Sequence, residues 1–561
     1  MPATTGSRFV AEALRAYGIT HVFFVPTILM KSLAAMEDMG IRRIMVHGEK
    51  AAAYMADGYA RASGRPGVCF AQCVGASNLV SGLRDAYMAC SPVIAITGGT
   101  APDARYRHAY QEIEDFAQYE NTTKFNAHVD DIARLPDMLR QAFREATIGA
   151  PGPVHLEMLG HHAEVALLEA NLELVVEERY RAVPAFRPAA DPSDVAAALK
   201  LLAAAKRPII IAGGGVAWSR AQAEVVALAE KLSLPVVTSL NGKGTILDTH
   251  PLSVGVAGLY SRECANRVVA EADLVFFVGS HTGGQLTAKW QLPRPGTTVI
   301  HLDIDAREFG RNYLTQVALL GDARTVLRQM IDAAGAGTQR PQWLARVRAL
   351  VEEWRTAASV HLNSDAVPMR PERLAREISR ALPEGGVLVS DTGHSGIWTG
   401  TMVDFTRKGQ RLIRCAGSLG WGLPGALGVK CALPDTPVIC FAGDGGVYYH
   451  IAELETAARY GINLVLVVNN NSSLNQEIPH MNWAYGGTQT ERAREMWGFT
   501  DVNFADIGKS FGCLGIRVED PKELPGALEK ALGAGRPVVI DAVSDWRALA
   551  AKAWTGKPQE H

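Results

Sequence analysis

The sequence predicts an α/β protein of three doubly wound domains, each a parallel sheet covered by helices. Short apolar runs bounded by Gly or Pro alternate with segments of helical periodicity along almost the whole chain, and such alternation builds parallel sheets. The alternation is broken twice by stretches rich in Pro, Ala and charge, at about 177–192 and 334–372. A length of 561 residues suits three domains of about 100–200 residues each.

The first unit opens with a helix whose Phe9, Val10, Ala13 and Leu14 share one face, ended by Gly18, and with a strand over 21–25 that Pro26 breaks. Strands at 44–46, 68–70 and 93–96 then alternate with a helix after Glu49 and another around 79–88, and the unit closes near 152–156, giving a first domain of residues 1–165. The second domain, 190–335, begins its sheet at Lys206 and runs through Gly213-Gly214-Gly215 and strands at 274–279 and 299–305 to Gly321-Asp322. A helix near 343–358 leads to the third domain, 365–545, and residues 546–561 form a tail.

Composition excludes several classes. A formal net charge of −2 offers no electrostatic footprint for nucleic acid or a membrane surface. The eight Cys make no Cys-x-x-Cys pair and sit mostly in apolar runs, as reduced core residues do. The amino terminus lacks a charged stretch followed by an apolar one, and no apolar span reaches 18 residues. A cytoplasmic protein is expected.

The richest chemistry lies in the third domain. Val438-Ile-Cys-Phe-Ala-Gly443-Asp444-Gly445-Gly446 reads as a strand ending in a glycine turn; a helix follows over 447–460 with Gly461 as its C-cap, then a strand at 464–468 and Asn469-Asn470-Asn471. Backbone amides of such a turn and the helix dipole suit a diphosphate, and Asp444 with Asn471 could give magnesium hard oxygen ligands. A Gly-Asp-Gly tripeptide alone is usually a plain turn; its spacing to the asparagines gives it meaning. In the first domain, Val46-His47-Gly48-Glu49 places a carboxylate where strand meets helix. It is either an acid favoured by the helix dipole or one buried against an aromatic base, where desolvation raises its pKa.

Glu49 with the downstream Gly-Tyr-Ala-Arg, Gly75-Ala76-Ser77-Asn78-Leu79, Gln111-Glu112, Gly417-Ser418-Leu419-Gly420-Trp421-Gly422-Leu423-Pro424, and Gly443-Asp444-Gly445 through Asn471 resemble, over nearly the whole chain, the acetolactate synthase-like superfamily of thiamine diphosphate enzymes. The resemblance implies a pyrimidine-binding first domain, a diphosphate-binding third domain, and a nucleotide-binding-like central domain that holds FAD, ADP or nothing. It implies that Glu49 hydrogen-bonds the pyrimidine ring and promotes deprotonation of the thiazolium carbon. The Gly417 carbonyl and Leu419 amide would hold the pyrimidine edge, with the Leu419 side chain bending the cofactor. Gly443, Gly445 and Gly446 would line the diphosphate; Asp444, Asn471 and the backbone oxygen of Ser473 would hold magnesium. The family joins the first domain of one chain to the third of another, so a homodimer at least, and a homotetramer, is expected.

Departures from the family pattern bear on the substrate. Pro26-Thr27-Ile28 stands where acetolactate synthases tend to have Pro-Gly-Gly, and Gln72-Cys73-Val74-Gly75 where they have Ser-Gly-Pro-Gly. By its offset from Asn471, Glu477 matches the acid/base glutamate of pyruvate and indolepyruvate decarboxylases, but their paired histidines are missing and only His108 lies near that position. Glu477 as a solvated helix residue and as a proton donor stand level, and the roles of His108 and His480 are open. Gln111 and Lys124 follow the synthase pattern, so Gln111 joins Glu49 and Glu477 as a candidate catalytic residue. The expected activity is carbon–carbon cleavage or formation on a 2-oxo acid or related small-molecule carbonyl donor, by a decarboxylase or carboligase. A cyclic 1,2-diketone hydrolase and a 2-hydroxyacyl-CoA lyase are alternatives with the same cofactor. Intact Glu49, Asp444 and Asn471 oppose a non-catalytic paralogue. A nicotinamide oxidoreductase built on the central domain is opposed because the glycines of that domain lack the Gly-x-Gly-x-x-Gly spacing followed by a ribose-binding acid about 20 residues on. In the central domain Gly213, Gly214, Gly215, Asp303, Asp305 and Asp322 could hold an adenine nucleotide, FAD or ADP, or form plain turns.

Overall fold

The computed structural model describes residues 3–556 and contains three six-stranded parallel sheets. The first comprises β1 (His21–Phe24), β2 (Arg42–Met45), β3 (Gly67–Ala71), β4 (Val93–Gly99), β5 (Phe125–Val129) and β6 (Val154–Leu159). The central sheet has β7 (Pro208–Ala212), β8 (Val236–Thr238), β9 (Ser253–Val256), β10 (Leu274–Val278), β11 (Thr298–Asp303) and β12 (Val317–Leu320). The third has β13 (Val387–Ser390), β14 (Arg411–Arg414), β15 (Val438–Gly443), β16 (Val465–Asn470), β17 (Leu514–Val518) and β18 (Val538–Val543). Strands such as β4 and β16 begin with four apolar residues in a row and are buried throughout, because helices cover both faces.

The first and third sheets share one strand order, β2-β1-β3-β4-β6-β5 and β14-β13-β15-β16-β18-β17, so their similar alternation in sequence reflects a common topology. The central order, β9-β8-β7-β10-β11-β12, is the doubly wound order of dinucleotide-binding sheets.

Helix α1 (Gly6–Ala16) is capped by the Thr5 hydroxyl, and α2 (Glu49–Ser63) ends at left-handed Gly64. The others used below are α3 (Ala76–Met88), α4 (Pro341–Leu362), α5 (Gly422–Ala432), α6 (Asp444–Tyr448) and α7 (Glu453–Tyr460). The single helix expected over 447–460 is therefore two. Around the break the amides of Tyr449, His450, Glu453 and Leu454 bond three residues back, a tighter turn that re-aims the chain. Ile451 and Leu454 still face one core, so the apolar period runs through the break.

Three other expectations need correction. The edge strand β5 was not anticipated, because Phe125-Asn-Ala-His-Val is only half buried and carries no apolar run. The helix Pro192–Ala204 was not anticipated inside the central domain expected from residue 190, yet its Val195, Ala198 and Leu202 belong to that domain's core. Helix α4 extends beyond 343–358 at both ends.

The first and third domains pack through α2 and α5. A Cβ on Gly58 would lie 2.0 Å from the Gly425 carbonyl oxygen, and one on Gly428 would lie 1.9 Å from that of Met55, so both glycines allow backbone-to-backbone approach. Trp421 of the third domain donates its indole N–H to Asp57 of the first at 2.9 Å. The tail crosses to the central domain, where Asn266 donates to the Trp554 carbonyl and Arg294 to that of Thr555; residues 557–561 of the expected tail lie outside the described residues. No helix among the described residues is long and apolar enough to cross a membrane.

Candidate active site

The carboxyl ends of β15 and β16 are adjacent, with Gly443 paired to Asn469. Asp444, next after β15, is buried: Oδ1 accepts the Gly445 N–H at 2.7 Å, and Oδ2 accepts those of Asn471 at 3.2 Å and Ser473 at 3.1 Å. Burial holds the Asp444 carboxyl up at about 7 against these three hydrogen bonds. Asn471 Oδ1 accepts the Ser473 hydroxyl at 2.8 Å, and the side-chain oxygen of Asn469 is buried without a partner. The predicted set Asp444, Asn471 and Ser473 is thus brought together, rich in oxygen and desolvated. Among the described residues no three His, Cys, Asp or Glu side chains cluster as a metal site. One carboxylate with amide and carbonyl oxygens is what magnesium accepts. Gly445 is constrained sterically, since a Cβ there would lie 2.5 Å from Leu474 Cδ2.

The loop between β14 and α5 is clamped by two buried carboxylates that the sequence did not reveal. Asp85 of α3 accepts the N–H groups of Ala416 at 2.7 Å, Gly417 at 3.0 Å and Ser418 at 3.4 Å. Asp391, following β13, accepts those of Thr392 at 2.7 Å, Gly420 at 3.2 Å and Gly422 at 2.8 Å. Burial raises both carboxyls, Asp391 to about 6. Among the described residues the Gly417 carbonyl and the Leu419 N–H make no hydrogen bond, so the clamped loop offers one acceptor and one donor. Ser390-Asp391-Thr392-Gly393 at a strand end was a readable signal for Asp391; Asp85, inside an amphipathic helix, gave none.

Glu49 begins α2. Its Oε2 accepts from Asn78 Nδ2 at 3.3 Å, and a Cβ on Gly75 would lie 2.5 Å from Oε1, so this carboxylate needs a glycine beside it. The same turn, Cys73–Gly75, carries Gln111: its backbone oxygen accepts the Cys73 S–H at 3.3 Å, and its side-chain oxygen is buried without a partner. Thr27 stands at its rim, 3.1 Å from His162 Nδ1 and 3.4 Å from the Gln72 amide oxygen. Within one chain Glu49 has no hydrogen bond to the third domain among the described residues, although His47 donates its backbone N–H to Glu453 at 3.0 Å.

Glu477 is half exposed and pairs at 3.3 Å with exposed His480. His108 lies exposed on another loop. The histidine beside the Glu477 turn is instead His394, whose Nδ1 is 2.6 Å from Asn475 Oδ1; burial lowers its pKa. Lys124 does not join Gln111: its ammonium donates to the carbonyls of Ile148 at 2.8 Å and Ala150 at 2.7 Å, and burial lowers it to about 8.

A cavity of about 500 Å³ lies where the three domains meet, lined among others by Gly214, Trp218, Lys243, Asp303 and Arg414. Of the three acids expected to hold a nucleotide, two are otherwise engaged. Asp322 caps a helix at Thr325 N–H and accepts from Ser219 and Arg187, and exposed Arg307 holds Asp305. Asp303 accepts the Asp305 N–H at 3.0 Å, and burial raises it to about 6; it alone keeps acceptor capacity toward the cavity.

The chain matches the N-terminal TPP binding domain of thiamine pyrophosphate enzymes over residues 4–119, their central domain over 195–330 and their C-terminal TPP binding domain over 391–542. It is 32% identical to a probable acetolactate synthase large subunit of Methanocaldococcus jannaschii, across 96% of this chain and 92% of that protein. Identity is 31% to the acetolactate synthase large subunit of Parasynechococcus marenigrum, across 96% and 87%. With the acetolactate synthase isozyme 1 large subunit of Escherichia coli K12 it is 30%, across 96% and 93%.

Proposed function

Because the chain belongs to the thiamine pyrophosphate enzyme family, in its acetolactate synthase-like branch, we propose that it makes or breaks a carbon–carbon bond on a 2-oxo acid or related carbonyl donor. The observation that carries this is the convergence of Asp444, Asn471 and Ser473 at the ends of β15 and β16. When bound, thiamine diphosphate supplies a carbon nucleophile for the donor carbonyl and a sink for the charge left by bond cleavage.

The chain's own groups fit that cofactor. Asp444, Asn471 and the Ser473 carbonyl would hold magnesium, which would offset the cost of a buried carboxylate. Gly443, Gly445 and Gly446 leave space for the diphosphate. The free Gly417 carbonyl and Leu419 N–H suit an aminopyrimidine edge, and the Leu419 side chain would help to shape the bound cofactor. Glu49 would take and return a proton at the ring nitrogen. Gln111 would aim its amide at the donor. Glu477 would act as a proton donor only where a second chain covers it, with His394 nearby.

A homodimer at least, with a homotetramer as its natural extension, follows from the family's joining of the first domain of one chain to the third of another. In the interdomain cavity, Gly214, Gly215 and Asp303 with the cations Arg220, Arg411 and Arg414 suit an adenine nucleotide, FAD or ADP. The polar group Thr27, Gln72 and His162 favours a second reading, a donor with an additional polar function, such as a cyclic 1,2-diketone or a 2-hydroxyacyl-CoA.

The test is a panel of pyruvate, larger 2-oxo acids, cyclic 1,2-diketones and 2-hydroxyacyl-CoA esters, with thiamine diphosphate and magnesium, read by product mass. A decarboxylated or ligated product from a 2-oxo acid is expected. Turnover of only a diketone or a CoA ester would transfer the assignment to the second reading, and turnover of none would remove both.

A further inference from the structure

Seven of the eight cysteines are buried, and burial pushes the thiols of Cys73, Cys264 and Cys513 up to about 11. Cys90 differs. It follows α3 in a left-handed conformation (φ 52°), is half exposed and lines the interdomain cavity. Its Sγ lies 3.6 Å from Nε2 of His281, which the central domain presents after β10 on the same cavity wall. Trp218 steadies the approach by donating to the Ala89 carbonyl at 3.4 Å.

The charges around the pair favour a cation on the imidazole. Asp303 and Glu308 face His281 and stabilise a cation there; the hydrogen bond with Cys90 is the largest cause of the rise of its imidazole to about 9, against burial. Lys124, on the Cys90 side, lies within electrostatic reach of the sulfur. The neighbouring imidazole of His301 is lowered to about 4 by burial, so it adds no competing cation. A thiolate beside an imidazolium is the reactive form of cysteine.

We propose that Cys90 and His281 form a thiolate–imidazolium pair that makes Cys90 the reactive thiol of this chain, a site of covalent modification by low-molecular-weight disulfides. The Cys90 proton passes to His281 Nε2, and the thiolate sulfur attacks one sulfur of the disulfide. A new S–S bond forms as the old one breaks, and the second sulfur leaves as a thiolate that takes its proton from solvent. The disulfide is the only oxidant. The resulting mixed disulfide puts its substituent into the cavity and replaces the Cys90–His281 contact between the first and central domains.

The experiment treats the native full chain with 5,5′-dithiobis(2-nitrobenzoate), following thionitrobenzoate release and mapping the adduct by peptide mass. A fast phase of one equivalent per chain is expected, located at Cys90 and absent in Cys90→Ser. In His281→Gln the fast phase should slow roughly tenfold or more at pH 7 and approach the original rate at high pH. Fast labelling at another cysteine, or an unchanged rate at pH 7 in His281→Gln, would overturn the proposal. If that variant does not fold, the pH–rate profile of the unaltered protein decides: a midpoint well below the ordinary thiol value of about 8.5 supports the pair, and one at that value refutes it.

Discussion

Asp85 accepts the backbone N–H of Gly417 at 3.0 Å, so a carboxylate buried in the first domain fixes a loop of the third. The same side chain takes the amides of Ala416 and Ser418 and lies 3.5 Å from the Arg61 guanidinium. In Asp85→Asn the shape survives, but an amide NH₂ must face N–H donors and Arg61 loses a partner. Unfolding in urea should show a loss of about 2–4 kcal/mol. Thiamine diphosphate, titrated by tryptophan fluorescence, should bind about tenfold more weakly. Unaltered affinity in a folded variant would mean that the loop keeps its place without Asp85.

Asp391, at the other end of that loop, gives a pH signature. Burial raises its carboxyl from 3.8 to about 6 in the folded chain. A raised acid binds its proton more tightly when folded, so its stabilising contribution is complete below about 4 and is lost as pH rises through about 6. That loss is on the order of 2–3 kcal/mol. Asp391→Asn cannot titrate, so its stability deficit relative to the unaltered protein should be larger at pH 4.5 than at pH 8. Equal deficits in urea unfolding at the two pH values would show that Asp391 titrates as an ordinary carboxylate.

What the sequence disclosed follows from how local each feature is. Asp444, Asn471 and Ser473 lie at the ends of neighbouring strands, so strand, turn and spacing sufficed to bring them together. Glu49 was visible because Gly48 separates strand from helix. Asp85 was not, since its partners are backbone N–H groups and Gly417 lies 332 positions away, whereas Asp391 carried a signal in its strand-end Ser-Asp-Thr-Gly. His394 escaped for a similar reason: Asn475 is 81 positions away. The role of Asp322 was readable, because an Asp three residues before Thr325 marks a helix N-cap, which removes it from a ligand set. The break between α6 and α7 was not readable, because Ile451 and Leu454 serve one core on either side of it.

The contact of α2 with α5 leaves no room for a methyl group. Gly58→Ala would set a carbon 2.0 Å from the Gly425 carbonyl oxygen, and Gly428→Ala one 1.9 Å from that of Met55. Backbone cannot rotate away as a side chain can. Each substitution improves helix propensity by about 1 kcal/mol, yet each should destabilise the protein by about 1–3 kcal/mol. Thermal unfolding would check this, with Gly526→Ala as a control, since that helix glycine has no neighbour within 4 Å. A rise in stability at Gly58 would mean that the two helices can part without cost.

Glu49 and Gly75 form the sharpest test of the proposed chemistry. Glu49→Gln keeps the Asn78 contact but cannot take a proton, so exchange of the thiazolium proton in bound thiamine diphosphate should slow by about 100-fold or more while cofactor affinity changes little. Gly75→Ala leaves the carboxylate chemically intact and moves it, since the added carbon would sit 2.5 Å from Glu49 Oε1. Placement matters as much as basicity in proton transfer. The second variant should therefore also exchange slowly, with a pH profile that keeps the shape of the unaltered enzyme, whereas Glu49→Gln should lose that profile. Normal exchange in Glu49→Gln would remove Glu49 from the reaction. Slow exchange there with normal exchange in Gly75→Ala would leave Glu49 in place and show that the turn yields to it.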